Sequence, residues 1–158
     1  RDSVRETYID SDLELMFPPT YIPNDSERVS LYRELDKMEE ERDILAFTER
    51  LKDRFGKVPK EGKELIRVVR LRRMAKTVGM EKVILKKGQM SIFLVTNPES
   101  PYYESEAFDK LLGFIQKHPR ECTLREQNGK RSIVIKNVPT VEVACNYLDE
   151  IGKVQIQK

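Results

Sequence analysis

The chain predicts an α+β fold: a mostly antiparallel sheet with helices packed on it, preceded by a three-helix cluster. Three observations carry that reading. Apolar residues recur at helical spacing through most of residues 24–78. Beyond Gly79 they gather instead into short strand-like runs, taken in pairs. Asn128-Gly129 then sits between the last two runs, and Asn-Gly is the dipeptide that best suits a two-residue hairpin.

Taken in order, residues 1–23 read as an extended N-terminal strand and proline-rich connector, and residues 24–158 as a single α+β domain, the whole forming one structural domain. Val4, Thr7, Tyr8 and Ile9 favour strand, and Leu13, Leu15 and Phe17 alternate with Glu14 and Met16. Asp10-Ser11-Asp12 predicts a turn or bulge between two short strands. Asn24 with Glu27 forms a capping box that opens a helix, with Val29, Tyr32, Leu35 and Met38 on one face. After the charged junction Glu39-Glu40-Glu41, a second helix carries Ile44, Phe47, Thr48, Leu51 and Phe55, and the two should form an antiparallel hairpin. Gly56 stands where a C-cap glycine belongs, and Pro59 keeps the helix from restarting at once. From Glu61 a long basic helix follows. Its apolar residues Leu65, Val68, Val69, Leu71, Met74, Ala75 and Val78 cover more than half the circumference, so it packs on more than one side. Gly79 ends it.

The second half reads ββαββα. Val83–Leu85 and Ser91–Val95 flank Lys86-Lys87-Gly88-Gln89 as a hairpin. Asn97–Pro101 is a loop, and Glu104 or Ser105 opens a helix with Phe108, Leu111, Leu112 and Ile115 on one face. Cys122–Leu124 and Ile133–Ile135 form the second hairpin. A last helix begins near Pro139-Thr140 and carries Val143, Ala144, Tyr147, Leu148 and Ile151.

A chain of 158 residues with a net charge of +2 has no global pull toward nucleic acid or membrane. The charge is nevertheless segregated. Residues 24–49 hold nine acids and four bases, and residues 50–88 hold fourteen bases and four acids. Such segments either pair with each other or form patches of opposite sign. Cys122 and Cys145 lie far apart in sequence and form no CxxC, which fits two reduced thiols in a cytoplasmic protein. No apolar run reaches membrane-spanning length and no signal peptide is visible. The first residue is Arg1 rather than Met, which fits a domain excised from a longer protein.

Signatures of catalysis are missing from the sequence. Gly56, Gly62, Gly129 and Gly152 are each followed by lysine, but the residues five before them are Leu51, Lys57, Leu124 and Tyr147, so none is a phosphate-binding loop. There is no GxGxxG and no GxSxG. The one histidine, His118, stands at a helix end before Pro119, where a cation is ordinary. One histidine and two distant cysteines make no zinc site. On the basic helix, Lys63, Arg67, Arg70 and Arg73 line one stripe, with Arg72 and Lys76 on another. They read either as phosphate contacts or as partners of the acidic helices, and the second reading agrees better with a helix that is apolar on several sides. An RNA platform on the sheet is set aside because Phe93 lies in an apolar run that reads as buried.

The order Leu13-Glu14-Leu15, Pro19-Thr20-Tyr21-Ile22-Pro23, Arg28 with Leu31-Tyr32-Arg33, Asp53-Arg54-Phe55-Gly56, Pro59, Arg70-Leu71-Arg72 and Gly79-Met80-Glu81-Lys82 resembles the C-terminal domain of the bacterial transcription-repair coupling factor. The resemblance implies a non-catalytic regulatory domain of an ATP-driven DNA translocase, whose ATP and Mg sites lie in other domains, so no cofactor is expected here. It implies docking on the N-terminal repair-like module of the same parent, masking the surface that binds the excision-repair damage sensor. RNA polymerase and the sensor are then partners through the parent, with no membrane and no direct nucleic-acid contact. In the family, acids of an E-L-x-D-R-F-G segment meet arginines of that module. Asp53 matches the second acid, and Arg50 stands at the first. Glu49 is adjacent, but one residue turns the side chain by about 100° around the helix. The interface residues implied are therefore Asp53, with Glu49, Arg50 and Arg54 around it. Two other readings stay beside this one: a nucleic-acid-binding module using the helix Lys63–Lys76, and a small enzyme of unfamiliar type.

Overall fold

The computed structural model describes residues 6–156, so the strand preference of Val4 falls outside the described residues. The chain divides into two compact units, Glu14–Arg70 and a second made of the chain through Leu13 together with the chain from Leu71 onward.

The helical unit holds α1 (Asp25–Asp36), α2 (Glu41–Phe55) and the first part of α3 (Lys60–Thr77). Asn24 caps α1 by accepting the Glu27 N–H at 2.9 Å, while the Glu27 carboxylate pairs with Arg54 on α2. Ile44, Phe47 and Leu51 form the buried stripe of α2, as their spacing predicts. They pack with Phe17, Ile22, Leu35, Val58, Ile66 and Val69 into one core. Two expectations are corrected here. Leu13–Phe17 is not a strand: the Phe17 N–H is taken by the Tyr32 hydroxyl at 3.0 Å, and the fully buried Phe17 ring stacks on Tyr32 at 5.5 Å. Val29 is 45% exposed, and Leu31, Tyr32 and Leu35 supply the inward face of α1 instead.

In the second unit, five strands run in the order β1-β2-β3-β5-β4: β1 Tyr8–Ser11, β2 Met80–Lys86, β3 Gln89–Leu94, β4 Cys122–Gln127 and β5 Lys130–Ile135. Among the described residues only the β1–β2 pair is parallel. Both two-residue hairpins turn through left-handed backbone, at Lys87-Gly88 and at Asn128-Gly129. A 3₁₀ turn at Pro101–Glu104, not foreseen from the sequence, precedes α4 (Glu106–Lys117), and α5 (Val141–Gly152) follows β5. Ser105 and Thr140 cap the two helices with their side chains. On α4 the buried residues are Leu111 and Phe114, and Leu112 is 38% exposed, so the apolar face is rotated from the one expected.

The two faces of the sheet differ sharply. Val83, Leu85, Met90, Ile92, Ile133 and Ile135 share one face and are buried. Tyr8, Lys82, Phe93, Ser132 and Arg125 fall in one register row on the other. There Phe93 is only half-buried and Tyr8 and Arg125 are exposed, while Ser132 and Val134 of β5 are buried. The buried reading of Phe93 is thus corrected: strand alternation sends it away from the core that holds Ile92 and Leu94.

Candidate functional site

The end of α2 is fixed from several sides. Gly56 adopts a φ of +88°, and its N–H donates to the Lys52 carbonyl at 2.9 Å. No atom crowds the place of a Cβ there, so backbone conformation alone calls for glycine. The Tyr21 hydroxyl donates to the Gly56 carbonyl at 2.7 Å, which anchors the connector to the end of the helix. Its ring lies 5.7 Å from that of Phe55. Val58 is buried just before α3 begins, so the Arg54–Pro59 turn is held at both ends.

Around this turn the four expected interface residues fare differently. Arg50 pairs with Glu34 and Arg54 with Glu27, so two arginines one turn apart on α2 meet two acids of α1 in reverse order. That reversal makes the two helices antiparallel. The hydrogen bond that Arg50 donates to the Glu34 carboxylate raises the Arg50 pKa above its ordinary value. Glu49 pairs with Lys52 at 3.1 Å. Asp53 is exposed, and among the described residues no ion pair or hydrogen bond engages its carboxylate. It also lies in the last turn of α2, where the helix dipole disfavours an acid by about 0.3–1 kcal/mol. A shallow cleft beside the ladder is lined by Ser30, Leu31, Glu34, Arg50 and Arg54.

The ladder was readable but unread: Arg50 and Arg54 stand at i and i+4, Glu27 and Glu34 at i and i+7, and antiparallel helices bring those spacings together. The basic stripe of α3 is partly spoken for. Arg70 makes a bidentate contact with Glu41 of α2, at 3.0 and 2.8 Å, and Arg67 pairs with Glu64 at 3.1 Å. Arg72 and Arg73 are also engaged, while Lys63 and Lys76 are exposed. His118 ties α4 to α5, with Nε2 2.6 Å from a Glu150 carboxylate oxygen and the ring 4.4 Å from Phe114. Neither Cys122 nor Cys145 forms a disulfide among the described residues, and burial pushes the Cys122 pKa up, away from a reactive thiolate. Among the described residues no three His, Cys, Asp or Glu side chains gather as a metal site, and no helix is long and apolar enough to cross a membrane.

The model of the TRCF domain matches residues 11–105, which is more than half of the chain. The chain belongs to the TRCF domain family. Over 121 residues it is 26% identical to the transcription-repair-coupling factor of Escherichia coli (strain K12), covering 76% of this chain and 10% of that protein. The transcription-repair-coupling factor of Mycobacterium tuberculosis (strain CDC 1551 / Oshkosh) is 32% identical over 79 residues, covering 50% of this chain and 6% of that one. The chain thus spans about a tenth of the length of such relatives. The crystal structure of a C-terminal domain of transcription-repair coupling factor superposes with a TM-score of 0.70 over 94% of both chains at 16% identity, which shows a shared fold. Within this TRCF domain the matched segment takes in the whole helical unit, the β2–β3 hairpin and the Asp53 turn.

Proposed function

We propose that this TRCF domain is a non-catalytic regulatory module of a transcription-repair coupling factor. It docks on the N-terminal repair-like module of the same parent and masks the surface that receives the excision-repair damage sensor. The parent is an ATP-dependent DNA translocase acting on stalled RNA polymerase, and its ATP and Mg belong to other domains. The observation that carries the reading is Asp53: an exposed carboxylate, without an internal partner among the described residues, placed against the helix dipole on a turn pinned by Tyr21, Gly56 and Val58. A side chain so placed is pre-organised for a guanidinium from outside. Glu49 and Arg54 already have partners within the unit, and Arg50 is committed to Glu34, so Asp53 is the centre of the contact.

A latch of this kind is rim-exposed and polar, worth about 0–1 kcal/mol per charge pair and screened by salt, which suits a contact that must open. In the full-length parent, Asp53→Lys should release the masked surface and raise capture of the damage sensor without added DNA or polymerase. Unaltered sensor capture by a folded Asp53→Lys parent would refute the assignment. The reading of α3 as a nucleic-acid contact is disfavoured because Arg67 and Arg70 are spent on Glu64 and Glu41.

A further inference from the structure

We infer that the open face of the five-stranded sheet is a binding platform for single-stranded nucleic acid, built on Tyr8 and Phe93 and the cations between and beside them. In one register row stand Tyr8 on β1, Lys82 on β2, Phe93 on β3, Ser132 on β5 and Arg125 on β4. The Lys82 ammonium lies 5.7 Å from the Tyr8 ring centre and 5.8 Å from that of Phe93, so cation and rings form one continuous strip. By strand alternation Lys130 shares this face, one step beyond Ser132.

The charge of the face decides its partner. Asp10 and Lys86 on it neutralise each other at 3.0 Å. Lys82 shares Asp10 with Lys86, and among the described residues no ion pair engages Arg125 or Lys130, so on these strands four cations stand against the one acid Asp10 and the face keeps a net positive charge. Tyr8 is 63% exposed, and Phe93 is half-buried, although the same strand seals Ile92 and Leu94 on the opposite face. A partly exposed aromatic strip flanked by an excess of cations on a sheet fits a strand whose bases stack on rings and whose phosphates meet lysine and arginine. An acidic peptide would satisfy the cations but has no use for two ring faces in a row. The platform is separate from the Asp53 turn and does not depend on the docking role.

The test is a fluorescence-anisotropy titration of the intact chain into labelled single-stranded oligothymidylate and oligouridylate, with a polyglutamate peptide as competitor and a salt series. Three phosphate contacts give a log–log salt slope of about −2. Lys82→Glu and Arg125→Glu should each weaken binding about tenfold, and Phe93→Leu, which keeps an apolar side chain in place, about fivefold. Lys63→Glu on α3 should leave binding unchanged. Circular dichroism melts confirm that each variant is folded. No binding by the folded chain at low salt overturns the proposal. So does binding lost in Lys63→Glu but kept in Lys82→Glu, which would place the site on α3. Equal affinity for polyglutamate, with Phe93→Leu silent, overturns it as well, because the face would then read charge alone.

Discussion

Gly79 is held by two constraints at once. Its φ is +79°, and a Cβ built there would lie 2.1 Å from Cε1 of Tyr102. The backbone alone costs a non-glycine residue about 1–3 kcal/mol, and the ring must also move. Gly79→Ala should therefore lower the stability to chemical denaturation by more than 2 kcal/mol, roughly the sum of both effects. The Tyr102 ring is buried over the glycine and donates its hydroxyl proton to the Val78 carbonyl at 2.9 Å. Burial pushes the Tyr102 pKa far above the ordinary 10.0. An acid whose folded pKa is raised adds stability in full below its unfolded pKa and loses it as pH rises past that value. The Tyr102 contribution to stability should thus be intact up to about pH 10 and be lost steadily above. Tyr102→Phe should cost about 1 kcal/mol at neutral pH and flatten that alkaline loss. A denaturation series across pH on both proteins checks the two claims together.

At the scale of elements, packing and charge contribute very unequally. The ladder between α1 and α2 is exposed, so the coupling in a double-mutant cycle of Glu34→Ala and Arg50→Ala should stay below about 1 kcal/mol. Phe47→Ala, beneath the same helices, should cost about 3–5 kcal/mol because the buried ring leaves a cavity. Urea unfolding of the five proteins, wild type included, decides whether charge or packing holds the hairpin. The same contrast explains what could be read from the residues. Gly56, Gly79 and Asn128-Gly129 mark the element boundaries because left-handed backbone has few tenants, and Ile44, Phe47 and Leu51 announce the inner face of α2 by spacing. Phe93 reads as buried from sequence because, in Ser91-Ile92-Phe93-Leu94-Val95, only Ser91 at the start of the run marks the outward face, and pairing partners fix the register. Val29 and Leu112 were misplaced for a related reason: helical spacing admits two neighbouring stripes, and only the packed core chooses between them. Asp53 was reached through a resemblance in sequence, while its lack of an internal partner became visible only in the fold.

For the molecule as a whole, the two compact units each keep a core of their own, and the charge segregation along the chain is answered only in part by internal pairs. Beside the α2 turn, no ion pair or hydrogen bond engages Asp53 among the described residues, and we assign to it the recognition of a neighbouring module. Stability and docking should therefore move in opposite directions at this position. Asp53→Lys replaces an acid at a helix C-terminus with a base and should raise the stability of the isolated chain by about 0.3–1 kcal/mol. The same change should weaken docking by about tenfold. The most direct measurement is calorimetric titration of the N-terminal repair-like module into this chain, wild type against Asp53→Lys, at low and high salt. Docking through Asp53 predicts wild-type binding that salt weakens, and binding by Asp53→Lys about tenfold weaker at low salt. Equal affinity for the two proteins at both salt concentrations would contradict it.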